Sequence, residues 1–271
     1  MRKIAMLAVG LTAFLGGAGV SNAAAPATSS TFTGTISPQR AGTLLFPRAV
    51  TFRASATVRN PDGSQPPQVS VIQLGLDRNL RQNGLVFPKC TSARAQAAGT
   101  LEVPSCRTAR IGSSDATAQV GTSVLRFKTV LYNGGAGKLV VTVDQQDGDI
   151  FRAFDAPITR GRFPYGPTYN FSLPADLRNP APGLYPSLTG LQNVKIGGVF
   201  AFVRRRVRIG STFVFRVVRV PYLESIGCRT PSSRTRVGSY SITNTFKFSP
   251  TPPQPVVGPN LTKNVRSLCL R

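Results

Sequence analysis

Alternation of apolar and polar residues with a period of two dominates this chain and predicts β-strands. Tight-turn sequences separate several of the alternating segments, among them Asn133-Gly134-Gly135 and Asp147-Gly148. A long hairpin is predicted to turn at Ile209-Gly210-Ser211. The alternating segments are 50–58, 69–76, 116–120, 123–132, 138–143, 150–154, 193–208, 212–220 and 239–248.

Helix-forming sequence is scarce. Residues 91–98 predict two helical turns capped by Thr91 or Ser92, and residues 106–111 predict a single turn. Pro-rich loops are expected at 164–186 and 250–259. Many short strands punctuated by Gly, Pro and Asn are typical of an all-β protein, and we expect a β-sandwich or jelly roll with one or two short helices in its loops.

The N-terminus has the three parts of a cleavable secretory signal peptide. Met1-Arg2-Lys3 is basic, residues 4–15 are apolar, and small residues continue to Ala25. An apolar core of this length is shorter than the ~20 residues that span a membrane. We predict a signal peptide over 1–25, export of the product and no transmembrane anchor. Residues 26–271 are then one large β-sandwich domain, with a division near 160–190 as the alternative.

The chain contains four cysteines, Cys90, Cys106, Cys228 and Cys269. An even number in an exported chain predicts two disulfides, and four cysteines allow three pairings. We favour Cys90–Cys106 with Cys228–Cys269, because neighbours in sequence close the smallest loops. The sequence contains no C-x-x-C spacing, so the disulfides are expected to be structural.

The composition argues against several familiar chemistries. The chain has no His and no Trp, and it has only ten acidic residues. Without His there is no Ser-His-Asp catalysis and no His-ligated zinc. No nucleophile elbow, S-x-x-K pair or Walker loop is present. We therefore predict a non-enzymatic protein without a cofactor or a metal.

The charge balance is strongly basic. Thirty-three Lys and Arg against ten Asp and Glu give a net charge of +23. Such a protein attracts polyanions: nucleic acid, anionic wall polymers, acidic polysaccharide or anionic lipid headgroups. The preference for Arg over Lys also fits a GC-rich genome, although that bias does not explain why acidic residues are few.

Candidate polyanion-binding residues cluster on the hairpin at 193–220. Alternation places Arg204, Arg206 and Arg208 on one strand face at about 7 Å spacing, which suits phosphates or carboxylates. The returning strand adds Arg216 and Arg219. The regular spacing of Phe200, Phe202, Phe213 and Phe215 predicts that these rings belong to the core. The alternative is a solvated strand face whose arginines prevent edge-to-edge aggregation.

Two groups of acidic residues are candidate sites. Asp144, Asp147 and Asp149 have the carboxylate density of a calcium loop but lack its full set of ligands, and a β-turn with acidic tip residues is favoured. A pair among Asp155, Asp176 and Glu224 would serve a polysaccharide-acting enzyme if two carboxylates lay about 5–9.5 Å apart.

One stretch resembles a known group of proteins. Its motifs are Gly84-Leu-Val-Phe-Pro-Lys-Cys90, Cys106-Arg-Thr-Ala-Arg-Ile-Gly112 with the continuation to Ala118, and Val130-Leu-Tyr-Asn-Gly134. They resemble secreted actinobacterial proteins of unknown function with a Cys-to-Cys helical loop, over about residues 50–200. The resemblance implies an extracytoplasmic β-rich fold and assigns no activity.

Together these features predict a secreted, non-enzymatic, envelope-associated β-sandwich protein. It would be retained on anionic cell-wall polymer or polysaccharide through the arginine hairpin. The alternatives are an extracellular polysaccharide-acting enzyme with an Asp/Glu pair, and a module that binds another protein.

Overall fold

The computed structural model describes residues 28–135, 137–231, 235–249 and 259–271. Sixteen strands lie within these ranges. In chain order they are β1 (Ser29–Ser37), β2 (Arg48–Ala49), β3 (Thr51–Arg59), β4 (Val69–Asp77), β5 (Leu80–Gln82), β6 (Arg110–Val120), β7 (Ser123–Asn133), β8 (Lys138–Gln145), β9 (Phe151–Arg160), β10 (Tyr165–Ser172), β11 (Ser187–Gly197), β12 (Phe200–Ile209), β13 (Thr212–Pro221), β14 (Leu223–Ser225), β15 (Val237–Phe248) and β16 (Leu261–Leu270).

The described helices are short and lie in connections between strands. Helix α1 (Ser92–Ala98) confirms the helix expected at 91–98, and its cap is Thr91, whose Oγ1 accepts a hydrogen bond from the Arg94 N–H at 3.2 Å. A 3-10 turn at Pro104–Ala109 takes the place of the turn expected at 106–111. Helix α2 (Ala175–Arg178) is a single turn.

Eleven of the strands form one antiparallel sheet that is nearly closed into a barrel. Its two end strands, β1 and β16, lie side by side. The Ile36 N–H donates to Ser267 Oγ at 2.8 Å, and Ala41 N–H donates to the Leu270 carbonyl at 2.7 Å. The order of strands around the sheet is β1-β3-β11-β6-β7-β8-β9-β10-β4-β15-β16.

The all-β class is confirmed, but the arrangement differs from the predicted β-sandwich or jelly roll. A sandwich has two separate sheets face to face, whereas here a single sheet curves until its ends meet. Bringing the two end strands together covers backbone N–H and C=O groups that the edges of an open sheet leave exposed. Period-two alternation shows which residues of a strand share a face. The pattern is the same in a sandwich and in a closed sheet, so it does not distinguish these two folds.

Strands from both sides of residues 160–190 interleave in the main sheet. Strand β11 lies between β3 and β6, and β15 pairs with β4. Two smaller sheets lie outside it: a three-stranded one of β2, β14 and β5, and the hairpin of β12 and β13.

Two local predictions were wrong. The strand expected at 193–208 is divided, because Gly197 and Gly198 have left-handed φ angles of 90° and 73° and separate β11 from β12. The loop expected at 164–186 contains β10. Its Pro167 lies where the register with β4 shifts between Tyr165 and Thr168, and such an irregularity tolerates a residue without an N–H.

The core lies inside the curved sheet. Its largest fully buried side chains include Phe52, Tyr169, Tyr222 and Tyr240. Burial raises the pKa of the Tyr169 and Tyr222 phenols, so both remain protonated. The inside face of the sheet is therefore apolar and uncharged at these positions.

A smaller core lies outside the sheet, under the loop that carries α1. Tyr132 joins it to the sheet: its hydroxyl accepts from the Val103 N–H and donates to the Leu101 carbonyl, both at 3.0 Å. The disulfide Cys90–Cys106 is buried in the same cluster.

Both predicted disulfides, Cys90–Cys106 and Cys228–Cys269, are confirmed. Such bonds form and persist in an oxidising environment. The predicted signal peptide, 1–25, lies outside the described residues. None of the described helices has the length and hydropathy needed to cross a bilayer.

Replacing both cysteines of Cys228–Cys269 by serine is expected to lower the free energy of unfolding by about 4 kcal/mol, and the same change at Cys90–Cys106 by about 3 kcal/mol. The difference follows from sequence separations of 41 and 16 residues. A disulfide that closes a longer loop removes more entropy from the unfolded chain, so its loss destabilises the protein more. Equilibrium guanidinium chloride denaturation of the two double variants measures both losses. A larger loss for Cys90–Cys106 would contradict the prediction.

Candidate functional site

The predicted arginine hairpin is formed by β12 and β13, which pair in unbroken register from Phe200 opposite Pro221 to Ile209 opposite Thr212. Gly210 has a left-handed φ of 60° in the two-residue turn. The base of the hairpin is anchored in the rest of the protein, where Ala201 and Val220 are buried.

One face of the hairpin combines arginine with phenylalanine. Every second residue of a strand points to the same side, and directly opposed residues of an antiparallel pair share that side. We call this surface the Arg–Phe face. Its described side chains are Phe200, Phe202, Arg204, Arg206, Phe213, Phe215, Val217 and Arg219.

The five predicted arginines are only partly brought together. Arg204, Arg206 and Arg219 belong to the Arg–Phe face, whereas Arg216 belongs to the opposite face of the hairpin with Val214 and Val218. The backbone of Arg208 pairs with Phe213, and its side chain lies outside the described part of the chain. Alternation on the returning strand accounts for the separation, since Arg216 and Arg219 are three residues apart.

The prediction that the aromatic residues of the hairpin are core was wrong for three of them. Phe202, Phe213 and Phe215 are 74%, 51% and 68% exposed, while Phe200 near the base is half-buried. Regular spacing shows that residues share a face but not whether another layer covers that face. No strand of the main sheet pairs with the hairpin, so its aromatic face stays in solvent.

The exposed rings support the arginine side chains. The Arg206 guanidinium carbon lies 4.1 Å from the centre of the Phe213 ring, Arg219 lies 3.6 Å from Phe200, and Arg204 lies 5.9 Å from Phe215. A guanidinium over an aromatic ring gains a cation–π attraction of about 0.5–1 kcal/mol at an exposed site. The contact restrains the long side chain while its N–H groups remain available to a ligand.

The positive charge of the hairpin is uncompensated within the described residues. Residues 200–221 contain six arginines and no acidic residue. The described ion pairs are elsewhere: Arg81–Glu224, Arg110–Glu102, Lys138–Asp155 and Arg152–Asp176. The Arg–Phe face therefore presents a concentrated positive potential to solvent.

The three carboxylates weighed for a polysaccharide-acting enzyme pair with three different bases. Asp155 binds Lys138, and Asp176 binds Arg152. Arg152 and Asp155 are three residues apart on β9, so their side chains leave opposite faces of the sheet, and Asp176 lies on the side of Arg152. Glu224 is buried on β14 of the three-stranded sheet and binds Arg81. Asp155 and Asp176 therefore do not face each other, and each of the three carboxylates is neutralised by its own base.

The acidic segment after β8 is a turn. Strand β8 ends at Gln145, whose N–H donates to the Ile150 carbonyl at 2.9 Å before β9 begins. Asp147 and Asp149 are exposed at its tip, and Asp144 is half-buried at the end of β8. Within the described ranges, no cluster of three or more His, Cys, Asp or Glu side chains has the arrangement to hold a metal ion.

The sequence matches no protein-family model, no curated protein and no solved structure. The resemblance of residues 84–134 to secreted actinobacterial proteins stays a prediction. Any inference about function therefore depends on the surfaces of the protein itself.

Because the Phe215 ring is 68% exposed, we expect Phe215→Ala to change the free energy of unfolding by no more than about 1 kcal/mol, the size of its contact with Arg204. The matched change Phe246→Ala removes a ring that is 1% exposed in the core and should cost about 3–5 kcal/mol. Chemical denaturation of the two variants measures both. A loss of several kcal/mol at Phe215 would show that another layer covers the Arg–Phe face.

Proposed function

We propose that this protein is a secreted, non-enzymatic component of the cell envelope that binds an anionic wall polymer or acidic polysaccharide through its Arg–Phe face. The observation that carries the proposal is the set of three guanidiniums on this face, Arg204, Arg206 and Arg219. Each is stacked on a phenylalanine ring and has no acidic partner among the described residues.

Geometry favours a repeating ligand. Arg204 and Arg206 are two residues apart on one strand, which separates them by about 7 Å along a rigid ribbon. Arg219 extends the row toward the base, because it is paired with Phe202, which precedes Arg204 by two residues. Guanidiniums in a row can bind successive phosphate or carboxylate groups of an extended polymer, each through two parallel hydrogen bonds.

Pre-organisation favours binding. Holding a flexible arginine in one rotamer costs conformational entropy when a ligand binds. Here the stacking rings restrain the side chains before any ligand arrives, so less entropy is lost on binding. The exposed Phe202 and Val217 add apolar area that can contact the carbon skeleton of a sugar or polyol repeat.

Export is supported by two independent features. The two disulfides fit an oxidising compartment, and the N-terminal sequence has the order of regions of a signal peptide. An anionic envelope polymer is a ligand that an exported basic protein meets at high local concentration.

The test is a charge-matched pair of triple variants with inorganic polyphosphate and heparin as probes. Arg204→Ser/Arg206→Ser/Arg219→Ser should weaken binding at least tenfold. It should also reduce the slope of log affinity against log salt by about two to three, because fewer counterions are released. The control Arg53→Ser/Arg59→Ser/Arg126→Ser removes the same charge from exposed positions on β3 and β7.

The control should lose much less affinity than the hairpin variant when both are titrated over a range of salt concentrations. Equal losses in the two variants would mean that net charge alone drives binding and would overturn the proposal. Unchanged binding in the hairpin variant would identify the Arg–Phe face as a solvated surface.

A further inference from the structure

The inside of the main sheet is not completely filled. A cavity of about 130 Å³ lies within it, between the strands that form its two sides. Eight strands already make a barrel just wide enough for side chains to fill, and this sheet has eleven. The width of the sheet therefore leaves space that only large inward residues could occupy.

Small residues face the space instead. Ala54 and Ala56 of β3 and Ala116 and Ala118 of β6 line the cavity at alternating positions. Between these strands, β11 is bent by irregularities in its register. β-branched residues suit a strand better than alanine, so one wall has small side chains at four positions where larger ones would fit the strand.

Much of the remaining lining is formed by large apolar side chains. Phe127 and Leu131 of β7 and Phe154 of β9 contribute to it, with Ile72 and Leu74 of β4. An empty space next to such residues is unfavourable, because the atoms that line it lose their dispersion contacts. A ligand that filled the cavity would restore those contacts.

Among the few polar residues of the lining, Asn244 has an unpaired buried donor. Asn244 of β15 lies opposite Leu74 of β4, is only 3% exposed and borders the cavity. Its Nδ2 is fully buried and has no hydrogen-bond partner among the described residues. Buried amide donors are nearly always paired, because an unpaired donor has lost its hydrogen bonds to water and gained none in the protein. An unpaired donor on the wall of an apolar cavity is the arrangement that a ligand oxygen would complete.

Polar contacts hold the connection between β10 and β11 over one end of the cavity. Leu177 and Arg178 of α2 border the space there. Arg178 donates from Nε to the Leu173 carbonyl at 3.1 Å and from Nη1 to Ser249 Oγ at 3.2 Å. These contacts keep the guanidinium bonded to the protein, which leaves the Asn244 amide as the unpaired buried donor that borders the cavity.

We propose that this cavity binds a small apolar molecule, about the size of one six-membered ring, whose single hydrogen-bond acceptor faces Asn244 Nδ2. The size follows from comparison with an apolar cavity of about 150 Å³, which is known to take up benzene. The acceptor follows from the unpaired donor. Two unfavourable features, the unfilled volume and the unpaired amide, occur at one place, and one ligand removes both. The inference is independent of the Arg–Phe face.

The probes are cyclohexanone and methylenecyclohexane, which have the same shape and differ by an oxygen acceptor in place of a CH₂ group. Titrations followed by the methyl NMR signals of Leu131, Val141 and Val143 give both dissociation constants. In the Asn244→Leu variant the ratio of the ketone constant to the alkene constant should rise about tenfold, because only the ketone loses a hydrogen bond. Taking the ratio cancels differences in hydrophobicity between the probes.

The same variant has a second readout. Without ligand, Asn244→Leu should raise the midpoint of thermal unfolding, because it removes an unpaired buried donor. A lower midpoint would mean that Asn244 stabilises the fold through a partner in the protein, and would overturn its assignment to a ligand. The control Asn264→Leu makes the same change at an exposed position on the neighbouring strand β16 and should leave the ratio unchanged.

A third experiment fills the cavity with a larger side chain. Ala56→Leu should abolish the shifts caused by both probes, and the milder Ala56→Val, which is better tolerated in a strand, should weaken both by severalfold. Absence of binding to the parent protein up to the solubility limit of the probes, or binding unaffected by either Ala56 substitution, would overturn the proposal. Polyphosphate affinity should not change in these variants, so failure here is distinguishable from failure of the Arg–Phe face.

Discussion

The seam between β1 and β16 is the constraint on which the other features of this protein depend. It joins the first and last described strands through the Ile36–Ser267 contact and through backbone hydrogen bonds around Leu270. Gly34 makes the approach possible, since a Cβ there would lie 3.3 Å from side-chain atoms of Ile242 and Val265. The Cys228–Cys269 disulfide fixes the end of β16 beside this seam. With the seam formed, the sheet surrounds a largely apolar interior.

Closure also explains why the hairpin of β12 and β13 stands apart. The two end strands of the nearly closed sheet, β1 and β16, lie against each other, and the hairpin that follows β11 in the chain pairs with itself. Its exposed rings then have no core to enter. Two of them, Phe213 and Phe215, contact the guanidiniums of Arg206 and Arg204. A surface with charge and aromatic area together is the result.

The cavity and the Arg–Phe face would bind different chemistry. The cavity is lined mainly by apolar side chains and has one unpaired buried amide donor among the described residues, which suits the small apolar molecule that we propose. The described arginines of the hairpin are exposed and have no acidic partner among the described residues, which suits the extended anion that we propose as its ligand. The two proposed sites are thus in different parts of the fold, one inside the main sheet and one on the hairpin.

Much of the local structure follows from the sequence alone. Period-two alternation located most of the strands, residues 91–98 predicted α1 with Thr91 or Ser92 as its cap, and the spacing of the cysteines favoured the pairing that forms. These features depend on neighbours in the chain, where side-chain direction and turn chemistry decide the outcome. The closed sheet, the exposure of Phe202, Phe213 and Phe215, and the unpaired amide of Asn244 depend on which surfaces meet across long sequence separations. Alternation specifies that a residue shares a face with its neighbours, but only tertiary packing decides whether that face is covered, exposed or left around a cavity.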